Sequence, residues 1–235
     1  MRTNLVCPQC AVAAGGAGTF FVETIRGDGL YTGKCPQGHD LLIATQTLRH
    51  EMLFEIALNA IRDGYHREAV SSFAASVERF FEFAIRVMAS GRQVANGVFD
   101  DAWRVVSKQS ERQFGAYIFL YVTAFTDMPC LLSNSVVELR NNVIHRGVLP
   151  EKKDALKFGN AAYDVIQSGI RKLRAACLDD VNKVLHEHVG RIAAKMENRY
   201  PRAFQATPTA LNVIEDISNG YRPFQQLLVE RGIQP

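Results

Sequence analysis

Residues 65–89 read Tyr-His-Arg-Glu-Ala-Val-Ser-Ser-Phe-Ala-Ala-Ser-Val-Glu-Arg-Phe-Phe-Glu-Phe-Ala-Ile-Arg-Val-Met-Ala. Val70, Phe73, Val77, Phe80, Phe81, Ala84, Ile85 and Met88 recur at three- and four-residue steps. One broad apolar stripe of helical period follows, and it predicts a long core helix. Glu78 and Glu82 share the opposite face and read as solvated. Ser90-Gly91-Arg92-Gln93 breaks the pattern.

The helical period extends on both sides. Upstream, Leu48, Met52, Ile56 and Ala60 lead to a stop at Asp63-Gly64. Downstream, residues 94–108 are less regular, with Trp103 as a core anchor, and 113–125 are apolar enough for a buried helix that Met128-Pro129 ends. Ser133 or Asn134 can cap the next helix, with Val136, Val137, Val143 and Ile144 facing inward. After Gly147 and Pro150, residues 151–178 carry the stripe Phe158, Ala162, Val165, Ile166, Gly169, Ile170 and Leu173. Cys130 and Cys177 read as isolated, buried small apolar groups. Three more helices are expected in the tail, over 180–197, 208–219 and 223–231.

The helix beginning near Ser133 ends in Arg140-Asn141-Asn142-Val143-Ile144-His145. This run gathers a permanent cation, an amide and an imidazole, the side chain whose protonation changes near neutral pH. Such a set can hold a phosphate and move a proton. Asn141 and His145 are four apart and share one helix face. Arg140 points away from it, but its long stem can bring the guanidinium back. Arg146-Gly147 stops the helix and leaves His145 in the last turn, open to a ligand.

Cysteine and histidine spacing organises the N-terminus. Cys7-Pro8-Gln9-Cys10 and Cys35-Pro36-Gln37-Gly38-His39 form a C-x2-C and a C-x3-H knuckle. Three thiolates and one imidazole make a closed tetrahedral zinc set with no position for a reacting water, so the expected role is structural. Proline fixes the backbone after the first ligand of each knuckle, and Gly38 lets the second one turn. Residues 19–25 read as a strand, 26–29 as a turn, Leu30-Tyr31-Thr32 as the return strand and 41–44 as a third strand. The whole resembles a zinc ribbon over residues 1–46. His186-Glu187-His188 falls short of H-E-x-x-H and reads as a solvated face.

Composition sets the outer bounds. A chain of 235 residues with a formal charge of +3 is mildly basic. It permits a nucleic-acid partner without demanding one. The sequence contains no run of eighteen apolar residues, so no membrane span is expected. Without an apolar signal core before Cys7, the five cysteines read as thiols or metal ligands in a cytoplasmic protein.

The bundle over about 48–178, with a helix ending in Arg140-Asn141-x-x-x-His145, then Arg146-Gly147, a proline turn and a long helix, resembles the HEPN superfamily. The resemblance implies a HEPN-like helical bundle (47–178), and with the ribbon and tail helices read above the expected protein is mainly α, the bundle lying in sequence between a small β zinc ribbon (1–46) and a C-terminal helical extension (179–235). It further implies metal-independent endoribonuclease activity. The ribose 2′-hydroxyl attacks the adjacent phosphate and leaves a cyclic phosphate and a 5′-hydroxyl. His145 is implied as proton-transfer group, Arg140 as stabiliser of phosphorane charge and Asn141 as positioner, with Glu78 a possible match to a polar residue in an earlier helix. A homodimer is implied too, with two copies of Arg140 and His145 lining one cleft. Arg146, Lys152, Lys153 and Lys157 could hold RNA backbone there. By analogy the setting is prokaryotic stress, toxin–antitoxin or phage defence, with a regulatory protein partner possible. The alternatives are a non-catalytic HEPN module binding RNA, nucleotide or protein, and a structural adaptor.

Overall fold

In the computed structural model, residues 2–16, 18–196, 198, 202–206, 209–213 and 222–234 are described. The chain forms two compact units, Met1–Thr47 with Leu185–Pro208, and Leu48–Val184 with Thr209–Pro235.

The first unit holds β1 (Arg2–Val6), a short α1 (Pro8–Ala13), β2 (Phe20–Thr24), β3 (Leu30–Lys34), β4 (Asp40–Thr45) and β5 (Arg202–Gln205). The expected hairpin between residues 19–25 and 30–32 is not what forms. β2 pairs antiparallel with β1, with Leu5 opposite Phe21, while β3 pairs antiparallel with β4, with Tyr31 opposite Ile43. β5 then adds to β4 in parallel, Ile43 opposite Ala203. β4 is thus the central strand, which explains its unbroken apolar run: a strand covered on both faces does not alternate. Leu41 and Ile43 pack with Leu5 and Tyr31 around the cysteines. Leu42 and Ala44 pack with Ile192 and Met196.

Part of the segment expected as a C-terminal extension therefore belongs to this unit. Gln205 ties its two sheets together. Its side-chain amide mimics a strand neighbour on the free edge of β1, accepting from Val6 N at 2.9 Å and donating to Asn4 O at 2.8 Å. Its backbone carbonyl accepts from Gln46 N at 3.0 Å.

The second unit is helical: α2 (Arg49–Arg62), α3 (His66–Ser90), α4 (Asn96–Val106), α5 (Ser110–Phe125), α6 (Asn134–His145), the part of α7 (Lys152–Ala193) up to Val184, and α8 (Phe224–Glu230). α3 is the hub, packing against α2, α5 and α6. Its stripe is buried as the periodicity requires, with Val70, Phe73 and Phe80 fully inaccessible. Phe54 of α2 meets Phe73 edge-on at 4.8 Å, and Tyr117 of α5 stacks on Phe81 at 4.4 Å between ring centres. Ser76 adds a buried hydrogen bond to the carbonyl of His50, at 2.7 Å.

Several elements depart from expectation. Residues 94–108 hold a regular helix, α4, fastened to α3 by Arg86, which bonds Asp100 at 2.9 Å and lies 4.0 Å over the Phe99 ring. Trp103 is half-buried and stacks on Phe99 instead of anchoring the core. α5 buries Gln113, Tyr117 and Tyr121 but leaves Phe119 75% exposed, so it is a surface helix, not a buried one. Val137 on α6 is also exposed. Cys130 is exposed and Cys177 half-buried, so neither is the buried apolar group expected. Cys177 instead marks a kink in α7, with φ −141° and ψ 39°, and the helix expected from 180 continues beyond it to Ala193. Of the helix expected over 208–219, residues 209–213 are turns and irregular chain, and the rest lies outside the described residues. The helix expected over 223–231 forms as α8.

Candidate functional sites

Cys7, Cys10, Cys35 and His39 converge, their ligand atoms all within 4.8 Å of one another. Two local folds bring them there. Pro8 starts α1 with Cys7 at its N-cap, where the sulfur accepts from Cys10 N at 3.4 Å. The second knuckle turns through Gly38 at φ +84°, with Gly38 N on Cys35 O at 2.8 Å and Cys35 N on His39 O at 3.1 Å. An L side chain rarely adopts that φ, so glycine is required there.

The geometry fits a tetrahedral ion. Sulfurs about 2.3 Å from a common centre would lie about 3.8 Å apart and about 3.6 Å from a ring nitrogen. Cys10 and Cys35 sulfurs are 3.9 Å apart, and His39 Nδ1 lies 3.6, 3.3 and 3.6 Å from the sulfurs of Cys7, Cys10 and Cys35. Burial alone would raise the Cys35 thiol, but the backbone N–H groups of His39 and Gln37 bring it down to about 7. Gln37 turns its side-chain carbonyl to the cluster, its Oε1 accepting from the Cys10 and Cys35 thiols at 3.7 Å each. These four residues can bind a metal ion, and all four positions are filled by protein.

The second candidate lies on α6. Val136 and Val143 are buried and set the helix against α3, while Ile144 is half-buried. Arg140 reaches back across that contact, its Nη2 donating to Glu78 of α3 at 3.0 Å and its Nη1 to Asn141 Oδ1 at 3.1 Å. Both members of the Arg140–Glu78 pair are less than one-third exposed. Glu78 is therefore not the solvated residue its helix face suggests, and Glu82 likewise pairs with Arg79 at 2.6 Å.

His145 occupies the last turn of α6 and is exposed. The Asn142 carbonyl accepts from Arg146 N at 3.2 Å and Val148 N at 3.1 Å, and Gly147 at φ +69° reverses the chain. The Asn142 side chain accepts from Arg146 Nη1 at 3.1 Å.

The expected phosphate-binding cations differ in place and freedom, and Lys157 reaches Ser135 at the N-terminal end of α6, the end away from His145. Arg146, Lys153 and Lys157 are exposed and Lys152 half-buried. Lys153 already pairs with Glu151 at 2.8 Å, and Lys157 makes a long contact of 3.5 Å to Ser135. Exposed pairs of this kind contribute little and exchange readily.

No protein-family model matches the chain, and no curated protein or solved structure matches it significantly. Among the described residues no helix is long and apolar enough to cross a membrane.

Proposed function

We propose that the helical unit is a HEPN-type, metal-independent endoribonuclease and that the N-terminal cluster is a structural zinc site. The observation that carries the first reading is the bracing of Arg140 by Glu78 and Asn141, one helical turn before an exposed His145. An arginine held by a carboxylate and an amide keeps its fork oriented, and its remaining N–H groups can meet phosphate oxygens bidentately. The His145 side chain is exposed at the end of α6, within reach of a bound ligand.

The chemistry asks for little else. The 2′-hydroxyl oxygen attacks phosphorus, its proton leaves to a base, and the P–O5′ bond breaks as the 5′-oxygen takes a proton. Arg140 offsets the charge that develops on the phosphorane oxygens. One imidazole per chain leaves a second proton-transfer group to be supplied, and a two-fold dimer with α6 near its axis would supply His145 of the second copy. Arg146, Lys152, Lys153 and Lys157 would line the approach for RNA backbone. The toxin or phage-defence setting, and a restraining protein partner, come from the HEPN resemblance.

Zinc is the metal we infer for Cys7, Cys10, Cys35 and His39, because three thiolates and an imidazole at tetrahedral spacing suit it better than oxygen-seeking cations. Five unpaired cysteines suit a reducing cytoplasm. Product-end mapping tests the catalytic reading: cleaved RNA should carry 2′,3′-cyclic phosphates and 5′-hydroxyls. Binding of RNA without any cleavage would favour the non-catalytic module.

A further inference from the structure

Residues 209–213 are seated in the helical unit by their main chain. Glu55 of α2 accepts from Ala210 N at 2.6 Å, and Glu51, one turn earlier, accepts from Val213 N at 3.0 Å. From α7, Gln167 donates to Ala210 O at 3.1 Å and Arg174 to Val213 O at 2.7 Å. Four side chains thus take both polar groups of two residues, acceptors from one helix and donors from the other. Thr209, Ala210, Leu211 and Val213 are buried in this slot. Behind them α8 lays Phe224 against Tyr163 at 5.6 Å, and Arg231 donates to Glu55 at 2.7 Å.

The two carboxylates are not equivalent. Glu55 has the Arg231 cation. Glu51 is 6% exposed and receives only neutral N–H groups, from Val213 and from Leu48 at 2.8 Å. The charged neighbour of Glu51 is Glu55, and Arg231 and Arg222 act on Glu55; His50 precedes Glu51 on α2, and Arg174 of α7 meets the same segment at the Val213 carbonyl. His50 is turned to Phe80 and Phe83 of α3. Arg174 is committed to the Val213 carbonyl. A carboxylate so buried and without its own cation is held at a cost that protonation removes. Seating is also incomplete, since Thr209 Oγ1 and Gln167 Oε1 are buried with no partner among the described residues.

We propose that residues 209–213, with α8 behind them, form a releasable strap whose latch is Glu51: the strap closes when this carboxyl is protonated and loosens when it ionises. Burial pushes the Glu51 carboxyl up to about 7, against the two N–H bonds. The closed form therefore keeps a proton over a range where the open form has lost it. Closure is favoured fully below the ordinary carboxylate pKa and weakens as pH rises towards 7 and past it. Opening should increase about tenfold between pH 6 and 8.

Hydrogen exchange of the full chain, corrected for the intrinsic pH dependence, tests this directly. Peptides covering 209–213 and α8 should open about tenfold more at pH 8 than at pH 6, with α3 unaffected, and Glu51→Gln should flatten the difference. Equal opening at both pH values, or a difference that survives Glu51→Gln, would overturn the strap. Should Glu51→Gln fail to fold, carboxyl carbon NMR of the unaltered protein decides. A Glu51 midpoint near 7 supports the latch, and a midpoint in the ordinary carboxylate range removes it.

Discussion

Arg140 of α6 and Glu78 of α3 meet at 3.0 Å although 62 residues separate them in sequence. The pair fixes the direction of the guanidinium from a helix that does not carry the rest of the motif. Glu78→Ala should therefore lower RNA cleavage on the order of tenfold or more through misplacement of Arg140. Glu78→Gln, which keeps an acceptor for the same N–H, should retain more activity. Stability should fall only by about 1 kcal/mol in either variant. Circular dichroism melts beside cleavage rates separate the two effects; equal activity in all three proteins would remove Glu78 from the site.

Zinc content tests the N-terminal unit. Protein purified without chelator should contain about one zinc per chain, and Cys35→Ser should lose it. Protection from exchange in β1 to β4 should collapse in that variant, while α2 and α3 keep theirs. Elemental analysis showing no zinc in the unaltered protein would reject the metal assignment.

Gln205 offers a mutation with no link to metal or catalysis. Gln205→Ala leaves Val6 N–H and Asn4 C=O without the amide that serves both, a loss of roughly 1–2 kcal/mol. Exchange in β1 should speed up accordingly. Unchanged exchange there would mean that the amide does not hold the edge of β1 in solution.

The dimer is read out by size. Light scattering at micromolar concentration should give twice the chain mass. Leu149 is 80% exposed four residues beyond His145, and a dimer with α6 near its two-fold axis is expected to cover it. Leu149→Asp should shift the mass towards monomer and reduce cleavage together. A monomeric parent that cleaves at full rate would contradict the composite cleft.

Local signals account for what was legible in the sequence. The ligand spacing of Cys7, Cys10, Cys35 and His39 is short-range chemistry, and the structure brings those four together. The stripe of α3 and the Gly147 stop after α6 are equally local. What escaped depends on non-local partners. Two strands around a turn predict a β2–β3 hairpin, yet β2 pairs with β1 and β3 with β4. Nothing in residues 40–45 announces that β5, more than 150 residues later, will pair with them in parallel. Glu78 looks solvated on a helical wheel because the wheel does not contain Arg140. Glu51 and Glu55 look like an ordinary polar face of α2 until Ala210, Val213 and Arg231 meet them. α5 failed in the opposite sense: apolar composition suggested burial, but its Phe119 face is left open.

In the proposed reaction Arg140 and His145 cut RNA without a metal ion. Cleavage of single-stranded RNA by the purified protein in EDTA tests it most directly, with Arg140→Ala and His145→Ala measured beside the parent. The parent should cut in EDTA, 2′-deoxy substitution at the cut site should protect the strand, and each variant should lose most activity with helical content unchanged. Variants that cut as fast as the parent, or a parent that never cuts, would contradict it.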